Sequence, residues 1–242
     1  MTNSTYLNDF GFQLLYEDGP CFAVLKPGGL LTQGPPGVDS LEVRFKRFLQ
    51  RREGKTGNVY LGVPHRLDRP VSGVILLARH VRAARRLSEQ FEGRLVQKTY
   101  WAVVEGRVTP DEDYWCDFHR KTPGEAKAEL VSPDHPEGKP AILRYRVLGA
   151  TDERSWLEIE LETGRTHQIR VQMAAHGHPI LGDTLYGART PFGPATDDER
   201  QRWIALHARH IAFKHPMTGE SVSVTAPLLE PWRGQEPPGY AG

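Results

Sequence analysis

The sequence predicts an α+β fold: a mainly antiparallel mixed sheet as core, with flanking helices. Two observations lead there. Several short apolar or alternating segments are joined by tight turns, and three amphipathic stretches are interspersed among them. There is no internal repeat and no long low-complexity linker.

In chain order, Phe22–Lys26 (FAVLK) reads as a short buried strand closed by Pro27-Gly28-Gly29. A Gly/Pro loop over Gln33–Val38 follows, and Asp39 or Ser40 can cap the next helix. In that helix Leu41, Phe45, Phe48 and Leu49 share a face, while Arg44, Arg47, Arg51 and Arg52 occupy the rest. Val74–Leu77 is an apolar strand leading into a second helix from about Val81 to Phe91. Its predicted apolar stripe is Val81, Ala84, Leu87 and Phe91, with Arg82, Arg85 and Arg86 outward. Tyr100–Glu105, Leu143–Leu148 and Trp156–Leu161 alternate as strands do. A third helix spans about His167 to His176 and is stopped by Gly177 and Pro179. A polar loop covers Ala188–Arg202, and His210–Ala226 reads as two strands around Pro216-Met217-Thr218-Gly219. The expected organisation is an extension (1–18), one domain (19–230) and a tail (231–242) that frays from Pro231.

A chain of 242 residues can bury a sizeable core, and its 38% hydrophobic and 25% charged content is that of an ordinary soluble protein. No stretch reaches the roughly 20 apolar residues of a membrane helix, and MTNSTYLNDF lacks the layout of a secretory signal. With only Cys21 and Cys116 there is no disulfide framework or cysteine zinc cluster. A cytoplasmic protein with no membrane partner is expected. The net charge of +1 hides an asymmetry: residues 41–100 hold 14 Lys/Arg against 5 Asp/Glu, leaving −8 on the remainder. One basic face suits a polyanion, though a solvated helical surface accounts for the same charges.

The chemically informative stretch is His65-Arg66-Leu67-Asp68-Arg69-Pro70-Val71-Ser72-Gly73. An Asp between two arginines, punctuated by Pro and Gly just before an apolar strand, sits where a loop can present it. Guanidinium neighbours favour its ionised form, as a carboxylate nucleophile or base requires. A surface Arg–Asp ion pair is the plainer reading of the same residues.

HRLDRPVSG resembles the HRLDxxTSG signature of the RluA-type pseudouridine synthases. Further segments resemble that family in its own order. Lys26-Pro27-x-Gly29 is similar to its K-P-x-G turn, and Lys98–Gly106 (KTYWAVVEG) to its K-x-Y-x-A-x-V-x-G strand. Thr163–Val171 (TGRTHQIRV) is similar to T-G-R-x-H-Q-I-R-V, followed by His178–Asp183 (HPILGD). Leu206-His207-Ala208, His215-Pro216 and Ala226-Pro227 resemble its closing hairpin. The departures are Val71 in place of the usual Thr and Gln172 in place of the usual His.

The resemblance implies the pseudouridine synthase catalytic fold and an isomerase acting on RNA without cofactor or metal. Asp68 would be the nucleophile, at ribose C1′ or uracil C6, or would otherwise promote glycosidic cleavage. Arg165 would pair with Asp68, and Tyr100 would stack on the target base. Arg66 would fill the space left by the flipped uridine, or contact phosphate. Arg170 reads as structural or phosphate-facing, and Arg82, Arg85 and Arg86 as an RNA-docking surface. The expected substrate is large-subunit ribosomal RNA, with transfer RNA as the alternative, and the expected state is a monomer. No separate RNA-binding domain is expected ahead of the catalytic one. Rival readings are a metal-dependent hydrolase built from the ten histidines and Asp68, and a non-catalytic RNA-binding module. A nucleosidase that releases free base is a third. Histidines such as His65, His176 and His178 lack a tight ligand spacing like H-E-x-x-H.

Overall fold

A computed structural model describes residues 8–240. These residues form two compact units: 8–97, 196–202 and 208–229 make the first, and 98–195, 203–207 and 230–240 the second.

The sheet of the first unit begins with β1 (Gln13–Asp18), β2 (Cys21–Lys26) and β3 (Ser72–Ala78), paired antiparallel in that order. Next to β3 lies β9 (Leu206–Lys214, of which the residues from Ala208 on belong to this unit), which pairs antiparallel with β10 (Ser221–Thr225). Every residue of β2 and β3 is buried, as their unbroken apolar runs require. Two helices belong to this unit, α1 (Leu41–Glu53) and α2 (Val81–Glu92). Ser40 is the N-cap of α1 and accepts from the Val43 N–H, whereas Asp39 turns to Arg44 at 2.6 Å. Leu41, Phe45 and Leu49 are buried, and the Phe45 ring packs 5.1 Å from Phe22 and 5.2 Å from Phe12. The stripe expected on α2 is displaced: Ala83 and Leu87 are its buried residues, and Val81 is 64% exposed. A first-turn residue has no preceding turn to lean on, so the periodic pattern there does not decide what covers it.

In the second unit the strand order is β4 (Gln97–Glu105), β8 (Arg154–Leu161), β7 (Lys139–Ala150), β5 (Glu112–Lys121) and β6 (Ala128–Val131). All four pairings are antiparallel. The helix α3 (Gln168–Ala175) belongs here, within a residue of the sequence reading at either end. The segment from Pro231, expected to fray, is packed instead. Trp232 is fully buried between the Phe192 and His207 rings. The Trp156 indole N–H donates to the Gln235 carbonyl at 3.0 Å, and Tyr240 meets Trp101 edge-on. Two large aromatics offer more apolar area than a frayed end can leave in water. Among the described residues no helix is long and apolar enough to cross a membrane.

Candidate active site

Asp68 lies in the first unit, on the loop between Gly62 and β3. The loop is anchored at both ends and in the middle. At its start Gly62 bridges to Ala78. Next, the His65 ring accepts the Leu76 N–H at 2.9 Å and stacks on Phe91 at 4.3 Å. The buried Thr32 hydroxyl then accepts from the Leu67 N–H (3.1 Å) and donates to the Leu67 carbonyl (2.8 Å), a side-chain imitation of strand pairing. On the other side of Asp68, the fully buried Lys26 ammonium donates to the carbonyls of Pro27 and Leu30 at 2.8 Å and of Arg69 at 3.3 Å. Finally a turn closes with the Val71 N–H on the Asp68 carbonyl. The residues on either side of the half-buried Asp68 are therefore tied down through their backbones, as presenting a side chain for chemistry requires.

Burial pushes the Lys26 ammonium down to about 7, while the Asp68 carboxylate opposes that fall. The cation and the carboxylate thus belong to one electrostatic site. The K-P-x-G motif signalled Lys26, but not its bond to the carbonyl 43 residues on. Nothing in the local pattern signalled Thr32. Gly73, in the same motif, has φ +126°, and a Cβ there would collide with the Ala208 backbone. The motif's glycine is the condition for β9 to run beside β3.

Arg66 is exposed next to Asp68. On α2, Arg82 is exposed, and Arg85 makes an exposed 3.5 Å pair with Glu89. Arg86 differs: its guanidinium donates to the Pro216 carbonyl at 2.7 Å, tying α2 to the β9–β10 turn.

Tyr100 and Arg165 lie in the second unit. Tyr100 is half-buried on β4, opposite Ile159. Arg165 sits on the turn that enters α3. Its N–H is accepted by Gln168 Oε1 at 3.0 Å, and its Nε donates to the Pro140 carbonyl at 3.1 Å. Gln168 Oε1 also accepts from the Thr163 hydroxyl, while its amide nitrogen donates to the Ile142 carbonyl. Arg170 is 4% exposed and binds Asp183 through two nitrogens at 2.6 and 2.8 Å, so it is structural and does not face solvent. Asp68 and Arg66 therefore share one loop, with the α2 arginines in the same unit, and Tyr100 and Arg165 occupy separate elements of the other. The histidines of the metal reading are spoken for: His176 contacts Asp117 at 3.1 Å, and His178 the Glu105 carbonyl at 3.0 Å. Among the described residues no three His, Cys, Asp or Glu converge as metal ligands would.

Residues 21–175 match the family model of RNA pseudouridylate synthases. Over 234 residues the chain is 35% identical to the tRNA pseudouridine synthase C of Yersinia pestis, covering 92% of this chain and 88% of that protein. It is 36% identical over 235 residues to the ribosomal large subunit pseudouridine synthase D of Xanthomonas campestris, covering 92% and 67%. Of two other curated relatives the chain spans 61% and 65% of the length. Its fold is similar to that of the human RNA pseudouridylate synthase domain containing 4, with TM-score 0.72 at 23% identity, covering 90% of this chain and 89% of that one.

Proposed function

This chain belongs to the RNA pseudouridylate synthase family, of the RluA type, and from that premise we propose that it isomerises a specific uridine in structured RNA with Asp68 as nucleophile. The glycosidic bond from ribose C1′ to N1 of uracil breaks, the base turns in place, and C5 joins C1′. The proton lost from C5 is matched by one gained at N1, so the reaction needs no oxidant, reductant or group donor. A carboxylate is suited to the first step because it is a stable anion that can attack and later leave. The observation that carries the assignment is the loop around Asp68, whose anchors through Thr32 and Lys26 surround the one side chain that the family motif marks. Tyr100 serves as the stacking platform for the flipped base, and Arg165 supports the chemical step. Arg66 either fills the space that the base vacates or contacts phosphate.

Large-subunit ribosomal RNA is the proposed substrate, supported by the Xanthomonas relative. Transfer RNA is the second reading, because the Yersinia relative named for it is matched over 88% of its own length. The bacterial relatives named for either substrate support a cytoplasmic location, and a monomer is the proposed state. Position-resolved pseudouridine mapping of total RNA, with and without the gene, tests the proposal. One or a few pseudouridines should disappear and return with the wild-type gene but not with Asp68→Asn. Disappearance from transfer RNA alone selects the second reading, and an unchanged map rejects the activity.

The α2 surface is proposed as part of the RNA-docking face, with Arg82 and Arg85 as its phosphate contacts and Arg86 as the anchor of the helix. Removing a single guanidinium–phosphate pair should flatten the salt dependence of log affinity by about 0.7–0.9. Arg82→Gln with Arg85→Gln is therefore expected to reduce that slope by about 1.4–1.8, with the rate at saturating RNA unchanged. Binding isotherms at several salt concentrations read this directly. An unchanged slope would return α2 to an ordinary solvated face.

A further inference from the structure

The turn that carries Arg165 holds a backbone conformation that its own residues do not favour. The residue before α3, His167, has φ 56° and ψ 23°, the left-handed region. The residues before α1 and α2 are extended, with φ −156° for Ser40 and −150° for His80. A side-chain-bearing residue in the left-handed region persists only where its surroundings over-determine it, and such residues concentrate at working sites. The His167 carbonyl accepts the Val171 N–H at 2.9 Å, but its side chain makes no capping bond to the helix.

Two side chains from elsewhere in the same unit hold this turn. The Tyr186 hydroxyl lies 2.9 Å from His167 Nδ1 and accepts the Ala128 N–H at 2.9 Å. With a donor already entering its oxygen, the hydroxyl proton is available to Nδ1. The Tyr186 ring is steadied by Arg170, 5.1 Å from its centroid, and Arg170 is locked to Asp183. On β5, the buried His119 places Nε2 2.7 Å from the Thr166 carbonyl. A carbonyl can only accept, so Nε2 carries the proton and donates it to Thr166, while burial holds the ring's pKa below the usual histidine value. Thr166 and His167 immediately follow Arg165, so the two contacts set the course of the backbone as it leaves the arginine.

We propose that His119 and Tyr186 are positioning residues: they clamp the Arg165 turn in its strained form and so aim the guanidinium at the reacting group it serves. Simple support of the fold is already supplied elsewhere. α3 is held by Arg170 on Asp183, by Gln172 on Asp117 and the Ala141 carbonyl, and by Gln168 on the Ile142 carbonyl. The clamp acts on the three residues that precede the helix. The inference rests on the proposed role of Arg165.

A double-mutant cycle tests it, read by single-turnover rate at saturating RNA, RNA affinity and thermal midpoint. Tyr186→Phe removes one hydroxyl and should slow the rate about 3- to 10-fold, with affinity and thermal midpoint near wild type. In an Arg165→Met background the same change should have no further effect. His119→Gln, whose amide can still donate to the Thr166 carbonyl, should keep most of the rate that His119→Leu loses. An equal loss from Tyr186→Phe in both backgrounds would overturn the clamp, as would no loss at all in the wild-type background. A wild-type rate for Arg165→Met would instead overturn the role of Arg165, and the clamp's purpose with it.

Discussion

Asp68→Asn is expected to abolish pseudouridine formation, a loss of at least about 10⁴-fold in single-turnover rate, as removal of a group central to covalent catalysis typically gives. The amide keeps the shape of the side chain but lacks the negative charge that attacks. The fold should survive. The anchors of the loop run through the backbones of Leu67 and Arg69 and through the His65 ring, and none of these bonds uses the side chain of residue 68. A change of about 1 kcal/mol would move the thermal midpoint of a chain this size by only about 2–4 °C, so stability and activity can be separated in one preparation. RNA affinity should also stay near wild type. Substantial turnover by the Asn variant, with deamidation excluded by mass, would remove Asp68 from the nucleophile role. A collapse of stability alongside activity would recast it as a loop-holding residue.

Arg165→Met should produce the second-largest effect. A charge-assisted partner is typically worth ~1.5–3 kcal/mol, which translates into a rate about 10- to 150-fold slower if it is made in the transition state. Met retains much of the apolar stem, so packing of the turn changes little. The bond from Arg165 Nε to the Pro140 carbonyl disappears, but the Arg165 N–H still has Gln168 Oε1. The rate should therefore fall much further than RNA affinity. Losses of equal size in both would mean that Arg165 attracts phosphate and takes no part in the chemical step. Arg82 and Arg85 should behave in the opposite way, with affinity and its salt dependence changing while the rate stays.

Much of this was legible in the chain because the relevant signals are local. The unbroken apolar runs of β2 and β3 and the Gly177 and Pro179 stops after α3 all lie within a few residues of what they specify. Three strands were not legible. β1 lies in what read as an amino-terminal extension, and β6 has only four residues. β5 has polar groups where a strand normally shows apolar ones. Trp115, Asp117 and His119 lie on the face it turns to α3, where Trp115 stacks on His176, Asp117 bonds Gln172 and His119 bonds Thr166. Hydrophobic periodicity cannot report a face that is covered by hydrogen-bonded polar residues.

The chain by itself determined the chemistry on offer: an aspartate between arginines on a Pro- and Gly-punctuated loop, inside an ordered series of family motifs. Those are properties of residue type and short spacing, and they hold whatever the chain folds against. Only the tertiary structure decided which polar side chains do the holding. Thr32 finds Leu67 at a separation of 35 residues, Lys26 finds the Arg69 carbonyl at 43, and His119 finds the Thr166 carbonyl at 47. A buried polar group is tolerated only when its partner is present, and the partner is brought to it by packing, which no local pattern encodes. For the same reason Arg86 and Arg170 look like their neighbours in the sequence, yet one anchors a helix and the other lies in a buried ion pair.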